Sequence, residues 1–204
     1  TYYLGEDGVL RTGLTSIDDS VYDFGTDGAM QTGLVTMEDG TVLFFGADGK
    51  QAMGLQTVDG KTYYFNDLGM AVNTKQTIDG KTYYFGADGS MQTGLVTLNN
   101  GVYYFVKDGS MQTGFVTMED GTVLFFGADG KQAMGLQTVN GKTYYFSDLG
   151  MAVNAKQTID GKTYYFGADG SMQTGKVTLQ DGSYYFGKNG EQVTGWLTLD
   201  GSEY

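Results

Sequence analysis

Polar and apolar positions alternate in short runs along this chain, and glycines close almost every run. The stretch Gln76-Thr77-Ile78-Asp79-Gly80-Lys81-Thr82-Tyr83-Tyr84-Phe85 sets the pattern. It recurs unchanged over 157–166, with Val58 for the isoleucine over 56–65, and with Asn140-Gly141 at the centre over 137–146. A period of two among β-branched and aromatic residues reads as a strand. Asp-Gly or Asn-Gly between two such runs reads as a two-residue type I′ turn, which needs φ > 0 at both positions. The pattern therefore predicts a β-hairpin with strands over 75–78 and 81–85, a loop at Gly86-Ala87-Asp88-Gly89, and an extended lead over 90–93. Side chains alternate between faces, and cross-strand partners share a face. Gln76, Ile78, Lys81, Tyr83 and Phe85 thus fall on one face, and Lys75, Thr77, Thr82 and Tyr84 on the other.

The hairpin is one unit of a repeat. Joints fall at Gly13, Gly33, Gly54, Thr74, Gly94, Gly114, Gly135, Ala155, Gly175 and Gly195. They divide the chain into a partial repeat 1–12, full repeats 13–32, 33–53, 54–73, 74–93, 94–113, 114–134, 135–154, 155–174 and 175–194, and a partial repeat 195–204. The units from Gly33 and Gly114 carry one extra turn residue, in Met37-Glu38-Asp39-Gly40 and its copy. Residues 33–94 and 114–175 match at an offset of 81, differing only at Leu34/Phe115, Asp59/Asn140, Asn66/Ser147 and Thr74/Ala155, which points to duplication of a four-repeat block. An isolated hairpin is marginal in water, so neighbouring hairpins must stack and bury each other's aromatics. The expected fold is all-β: a β-solenoid of stacked β-hairpins forming a single array over 1–204, in which stability accumulates along the axis.

Composition narrows the function. Glycine is 34 of 204 residues, more than twice the usual share of about 7 %, with no proline, cysteine or histidine. The formal charge of −12 is the opposite of a nucleic-acid footprint and unfavourable beside anionic lipid, so neither nucleic acid nor membrane insertion is expected. No apolar run approaches the roughly 18 residues of a membrane span. Both ends fall inside a repeat, as in a piece of a longer protein, and oligomeric state is left open. Without histidine or cysteine, and with carboxylate pairs such as Glu38-Asp39 in open turns, no catalytic constellation forms, and an enzyme is not expected. No cofactor or metal is expected either. The Asp-Gly loops follow ordinary turn chemistry and match neither an EF-hand loop nor a calcium-binding nonapeptide.

The phrase GKTYYF…DG.M.TG resembles the cell-wall-binding repeats of Gram-positive surface proteins, a family that includes choline-binding modules, the glucan-binding domains of glucansucrases and the C-terminal repetitive domains of clostridial toxins. The resemblance covers essentially the whole chain. It implies a left-handed superhelix of hairpins with ligand sites where consecutive hairpins meet, on a secreted or cell-surface protein. Choline members resemble GWxxxxGxWYYF…GxMxTGW and cage the quaternary ammonium with aromatic rings. Mapped here, the cage positions are Lys75, Thr82 and Tyr84, of which only the tyrosine is kept. Cation–π recognition needs aromatic faces, and Lys75 would repel the cation. Trp196, the one tryptophan, follows its joint glycine as the choline pattern has it. The Gln-Thr-x-Asp-Gly-Lys-x-Tyr-Tyr pattern is similar to the glucan-binding and toxin repeats, which present tyrosine, glutamine and lysine to sugar hydroxyls.

Candidate carbohydrate-binding residues follow. The second tyrosine of each triplet, at Tyr64, Tyr84, Tyr104, Tyr145, Tyr165 and Tyr185, can offer a pyranose a platform and a hydroxyl, or can pack on the next hairpin. Lys75-Gln76 and Lys156-Gln157 replace the usual joint once per block and, with Lys81 and Lys162, can bond sugar hydroxyls. Their other reading is a slightly open joint. Leu43-Phe44-Phe45 and Leu124-Phe125-Phe126 lack both hydroxyls and read as spacers. The function expected is a non-catalytic, multivalent carbohydrate-binding or cell-wall-attachment module whose partner is a polysaccharide or cell-surface glycan. The alternatives are a structural spacer or stalk and a toxin-type receptor-binding region.

Overall fold

The computed structural model describes residues 1–196, 198–199 and 202–203, and all of the strand and helix structure there is β. The chain divides into two compact units, one of Thr1–Val96 with Phe105–Met111 and the other of Thr97–Tyr104 with Gln112–Tyr204. The first unit holds β1 (Gly13–Ile17), β2 (Ser20–Phe24), β3 (Gly33–Thr36), β4 (Val42–Phe45), β5 (Gly54–Val58), β6 (Lys61–Asn66), β7 (Gly69–Met70), β8 (Thr74–Ile78) and β9 (Lys81–Phe85). Strands β10 (Gly94–Leu98) and β11 (Gly101–Phe105) fall where the units divide. The second unit holds β12 (Gly114–Thr117), β13 (Val123–Phe126), β14 (Gly135–Val139), β15 (Lys142–Ser147), β16 (Gly150–Met151), β17 (Ala155–Ile159), β18 (Lys162–Phe166), β19 (Gly175–Leu179), β20 (Gly182–Phe186), β21 (Thr198–Leu199) and β22 (Ser202–Glu203).

The hairpin register follows from the turn. In β8–β9 the pairs are Thr74↔Phe85, Lys75↔Tyr84, Gln76↔Tyr83, Thr77↔Thr82 and Ile78↔Lys81, which puts the two faces where alternation predicts. Asp79 and Gly80 take φ of 50° and 76°, the conformation a type I′ turn demands. Asn140-Gly141 and Asp160-Gly161 do the same. Strands β6 and β15 run one residue longer than the pattern predicts and pair with β7 and β16, giving three-stranded sheets. The cause is local. The loops after Phe65 and Phe146 are one residue shorter than those of the other hairpins, so Met70 and Met151 pair with these phenylalanines across a tighter return, and Asn66 accepts the Leu68 N–H at 2.9 Å within it.

Within each unit, successive hairpins are joined in three ways. The methionine N–H of one repeat bonds back to an earlier hairpin, as in Met91 to the Thr62 carbonyl at 2.7 Å and Met172 to the Thr143 carbonyl at 2.7 Å. The second ring of the triplet, where the hairpin carries one, lies over the phenylalanine of the next: Phe44–Phe65 at 5.7 Å, Tyr64–Phe85 at 5.9 Å and Tyr84–Phe105 at 6.3 Å in the first unit. In the second unit the same contact recurs as Tyr145–Phe166 at 5.9 Å and Tyr165–Phe186 at 6.1 Å. The triplet phenylalanines form the core, with Phe45, Phe85, Phe105, Phe126, Phe166 and Phe186 fully buried. Third, the lysine after the turn reaches the loop acid of the following repeat: Lys61–Asp88 at 3.0 Å, Lys81–Asp108 at 3.1 Å, Lys142–Asp169 at 2.9 Å and Lys162–Glu191 at 2.6 Å.

Candidate functional site

The joints between hairpins leave clefts. In the second unit a cleft of ≈ 630 Å³ opens beside the joint at Ala155 and is lined by Asn154, Lys156, Tyr165, Thr178, Leu179, Gln180 and Asp181. Lys156 and Tyr165 face each other across β17–β18, so the hairpin register alone sets one wall. The turn of the next hairpin, β19–β20, supplies the other. Lys156 Nζ donates to Asp181 Oδ2 at 3.0 Å and sits 3.9 Å from the centroid of the Tyr184 ring. The Tyr184 hydroxyl donates to the same Asp181 oxygen at 2.9 Å. The Tyr184 contact, followed by Asp181, raises the Lys156 pKa above the ordinary lysine value. Hydrogen bonds from Lys156 and Tyr184 lower that of Asp181. Near neutral pH the pair is a fixed ammonium and carboxylate, with amide and hydroxyl groups beside it.

The structure separates the candidate residues into two sets. Lys156 and Tyr165 share the cleft, and Lys75 and Tyr84 hold the same register positions in β8–β9. Lys176 is the cross-strand partner of Tyr185, and Leu55 and Leu136 are those of Tyr64 and Tyr145. Gln76 and Lys81, with Gln157 and Lys162, lie on the opposite face of their hairpins. There Lys81 and Lys162 are engaged by Asp108 and Glu191 of the following repeats. The candidate tyrosines whose ring contacts are described also have a packing role. Tyr64, Tyr84, Tyr104, Tyr145 and Tyr165 each cover a phenylalanine of the next hairpin. Trp196 is 85 % exposed.

Asp181 and Tyr184 were not anticipated. Asp181 reads as turn chemistry, and its partner lies 25 residues away, so no local signal joins them. The duplication holds a clue, because the residue 81 positions earlier is Asn100, and the carboxylate is therefore private to the second block. Among the described residues no group of three or more acidic side chains is placed to hold a metal ion, and no helix is long and apolar enough to cross a membrane.

Two repeat families match the sequence. A choline-binding repeat matches residues 72–111 and 153–183, and a putative cell wall binding repeat matches 53–69 and 134–150. No curated protein matches the sequence. Solved structures from Streptococcus pneumoniae share the fold. CbpJ from strain TIGR4 is 19 % identical over 99 % of this chain and 94 % of its own, with a TM-score of 0.72. The choline-binding domain of CbpL is 26 % identical over 90 % of this chain and 98 % of its own, with a TM-score of 0.65. The modular autolysin LytC, solved with a synthetic peptidoglycan ligand, is 24 % identical over the whole of this chain and 48 % of its own, with a TM-score of 0.74.

Proposed function

Because the chain belongs to the family of choline-binding and putative cell wall binding repeats, we propose that it is a non-catalytic, multivalent module that attaches a secreted or surface protein to cell-wall carbohydrate. The reading treats 1–204 as one array of stacked hairpins, a β-solenoid with the left-handed winding its resemblance implies. The recurring ring, backbone and ion-pair contacts between successive hairpins of each unit support it. Binding falls in the clefts at the joints. The observation that carries the ligand class is the Lys156–Asp181–Tyr184 cluster beside Tyr165. A fixed carboxylate and ammonium side by side match the paired hydroxyls of a sugar, accepting from one and donating to the other. The same cluster disfavours a quaternary ammonium, since the chain's own Lys156 already occupies the Tyr184 face. Single contacts of this kind are weak, and repetition supplies avidity through effective concentration.

A glycan array spanning α-glucans, bacterial wall polymers including choline-bearing ones, and host-type oligosaccharides tests the reading. The expected result is a coherent set of neutral-sugar hits. Lys156→Ala and Asp181→Asn should each weaken them by about tenfold, the scale of a hydrogen bond to a charged group. Hits confined to choline-bearing polymers would replace the sugar reading with choline. The ring and ion-pair ladders equally suit a spacer, and a blank array with a folded protein would assign that role.

A further inference from the structure

One hairpin of the first unit breaks the array's chemistry at a single position. Asp23 stands where the other hairpins carry the second aromatic of the triplet, directly across from Leu14 in the β1–β2 register. Elsewhere that position covers a phenylalanine of the next hairpin, as Phe44 covers Phe65. Here the ring is replaced by a carboxylate that is 5 % exposed. Among the described residues no cation or hydrogen-bond donor reaches the Asp23 side chain, and burial alone raises its pKa. No sealed, unpartnered side-chain polar atom occurs among the described residues, so the Asp23 oxygens keep access to the cleft they line.

That cleft measures ≈ 650 Å³, with Leu14, Val35 and Met37 on its apolar walls and Glu38 among the residues that bound it. Its volume is that of a small-molecule site. A buried carboxylate without a partner is costly and is relieved by a cation. A metal ion does not fit, because calcium wants six or more converging oxygens, and no three acidic side chains are placed to hold a metal among the described residues. Asp39, which also bounds the cleft, accepts the Thr41 N–H at 2.9 Å within its own turn. A quaternary ammonium fits less well, because it has no proton to donate to Asp23 and Phe24 is the one aromatic residue among those lining the cleft, short of a cage. We propose that the Asp23 cleft is an amine-binding site, taking a primary ammonium on a short aliphatic stem, as in a lysine side chain of a wall peptide. The ammonium donates to the Asp23 carboxylate, and the methylenes lie along Leu14, Val35 and Met37. The site is separate from the Lys156 cleft, so its success or failure is independent of the sugar reading.

The test is an NMR titration of the whole chain with Nα-acetyl-lysine methylamide, followed through the backbone amides of residues 23–26 and 35–38. Its Nε-trimethyl analogue and choline serve as comparators. Saturable shifts confined to those amides are expected, at least about tenfold weaker with the trimethyl compounds and about tenfold weaker in Asp23→Asn. Asp23→Tyr installs the residue that all the other complete hairpins but those of Phe44 and Phe125 use. It should keep the fold by circular dichroism and abolish the shifts. Absence of shifts in the unmodified chain, equal binding of the trimethyl compounds, or binding unchanged in a folded Asp23→Asn or Asp23→Tyr would each overturn the proposal.

Discussion

At the scale of single residues, the two aromatics that end each triplet have different jobs. Phe85 is fully buried, whereas Tyr84 is half-buried, its ring tilted against that of Phe105 at 6.3 Å and its cross-strand partner Lys75 at the joint. The ring is needed for stacking, an edge worth about 0.5–1.5 kcal/mol beyond area. The hydroxyl is available for other work. Tyr84→Phe should therefore leave the urea midpoint nearly unchanged, within about 0.5 kcal/mol, while lowering sugar affinity. Phe85→Ala should cost about 3–5 kcal/mol. A Tyr84→Phe variant as destabilised as Phe85→Ala would make the hydroxyl structural and remove it from the site.

At the scale of elements, the loop between hairpins is both a turn and a clamp. Asp108 accepts from the Ser110 hydroxyl at 2.6 Å, from the Ser110 N–H at 2.9 Å, and from Lys81 of the preceding hairpin at 3.1 Å. These bonds, the Ser110 hydroxyl foremost, draw the Asp108 pKa from 3.8 down to about 2. Asp88 and Asp169 are lowered in the same way by Ser90 with Lys61 and by Ser171 with Lys142. A carboxylate with a lowered folded pKa contributes stability above its unfolded value and loses it as pH falls toward the folded one. Asp23 runs the other way: its raised pKa adds stability in acid that is lost as pH rises through the folded value. Asp7, Asp39, Asp120, Asp129 and Asp181 are lowered as well, and Asp23 is the one carboxylate raised among the described residues, so the melting temperature should fall between about pH 4 and pH 2, and Ser110→Ala should flatten that fall. Identical acid profiles for the two proteins would show that the loop bonds contribute nothing.

Those loop bonds also mark where legibility in the sequence stops. The register Thr77↔Thr82 was readable because Asp79-Gly80 permits one turn geometry, and the alternation then places Lys75 with Tyr84. The reach of Lys61 to Asp88, 27 residues on, was not readable. A 20-residue repeat says that hairpins are equivalent but not which turn leans on which loop. Lys156 and Asp181 escaped for the same reason. The strand β7 escaped for another, since a loop one residue shorter than in the other hairpins lets the ladder continue through Asn66↔Gly69. Lys81 and Lys162 are candidates whose positions alone do not reveal that the next repeat engages them.

At the scale of the whole molecule, each described hairpin owes its burial to its neighbours, since a lone hairpin is marginal. Periodicity then matters more than length. Removing residues 155–174 takes out one complete repeat and brings Asn154 against Gly175, a joint glycine equivalent to the one at Gly135. The Tyr145 ring, which covers Phe166, would find Phe186 at the equivalent place in the next hairpin. Removing only 155–164 takes away β17 and the first three of the five residues of β18, leaving Tyr165 and Phe166 without a cross-strand partner and the following loops half a repeat out of step. If stability is a sum of repeats and nearest-neighbour interfaces, the twenty-residue deletion loses one of each and still melts cooperatively. The ten-residue deletion loses the same hairpin and also mismatches both of its neighbours, so the smaller cut should give the lower and broader circular dichroism melt. The reverse order would mean that the hairpins are not interchangeable units, and avidity by simple repetition would lose its structural basis.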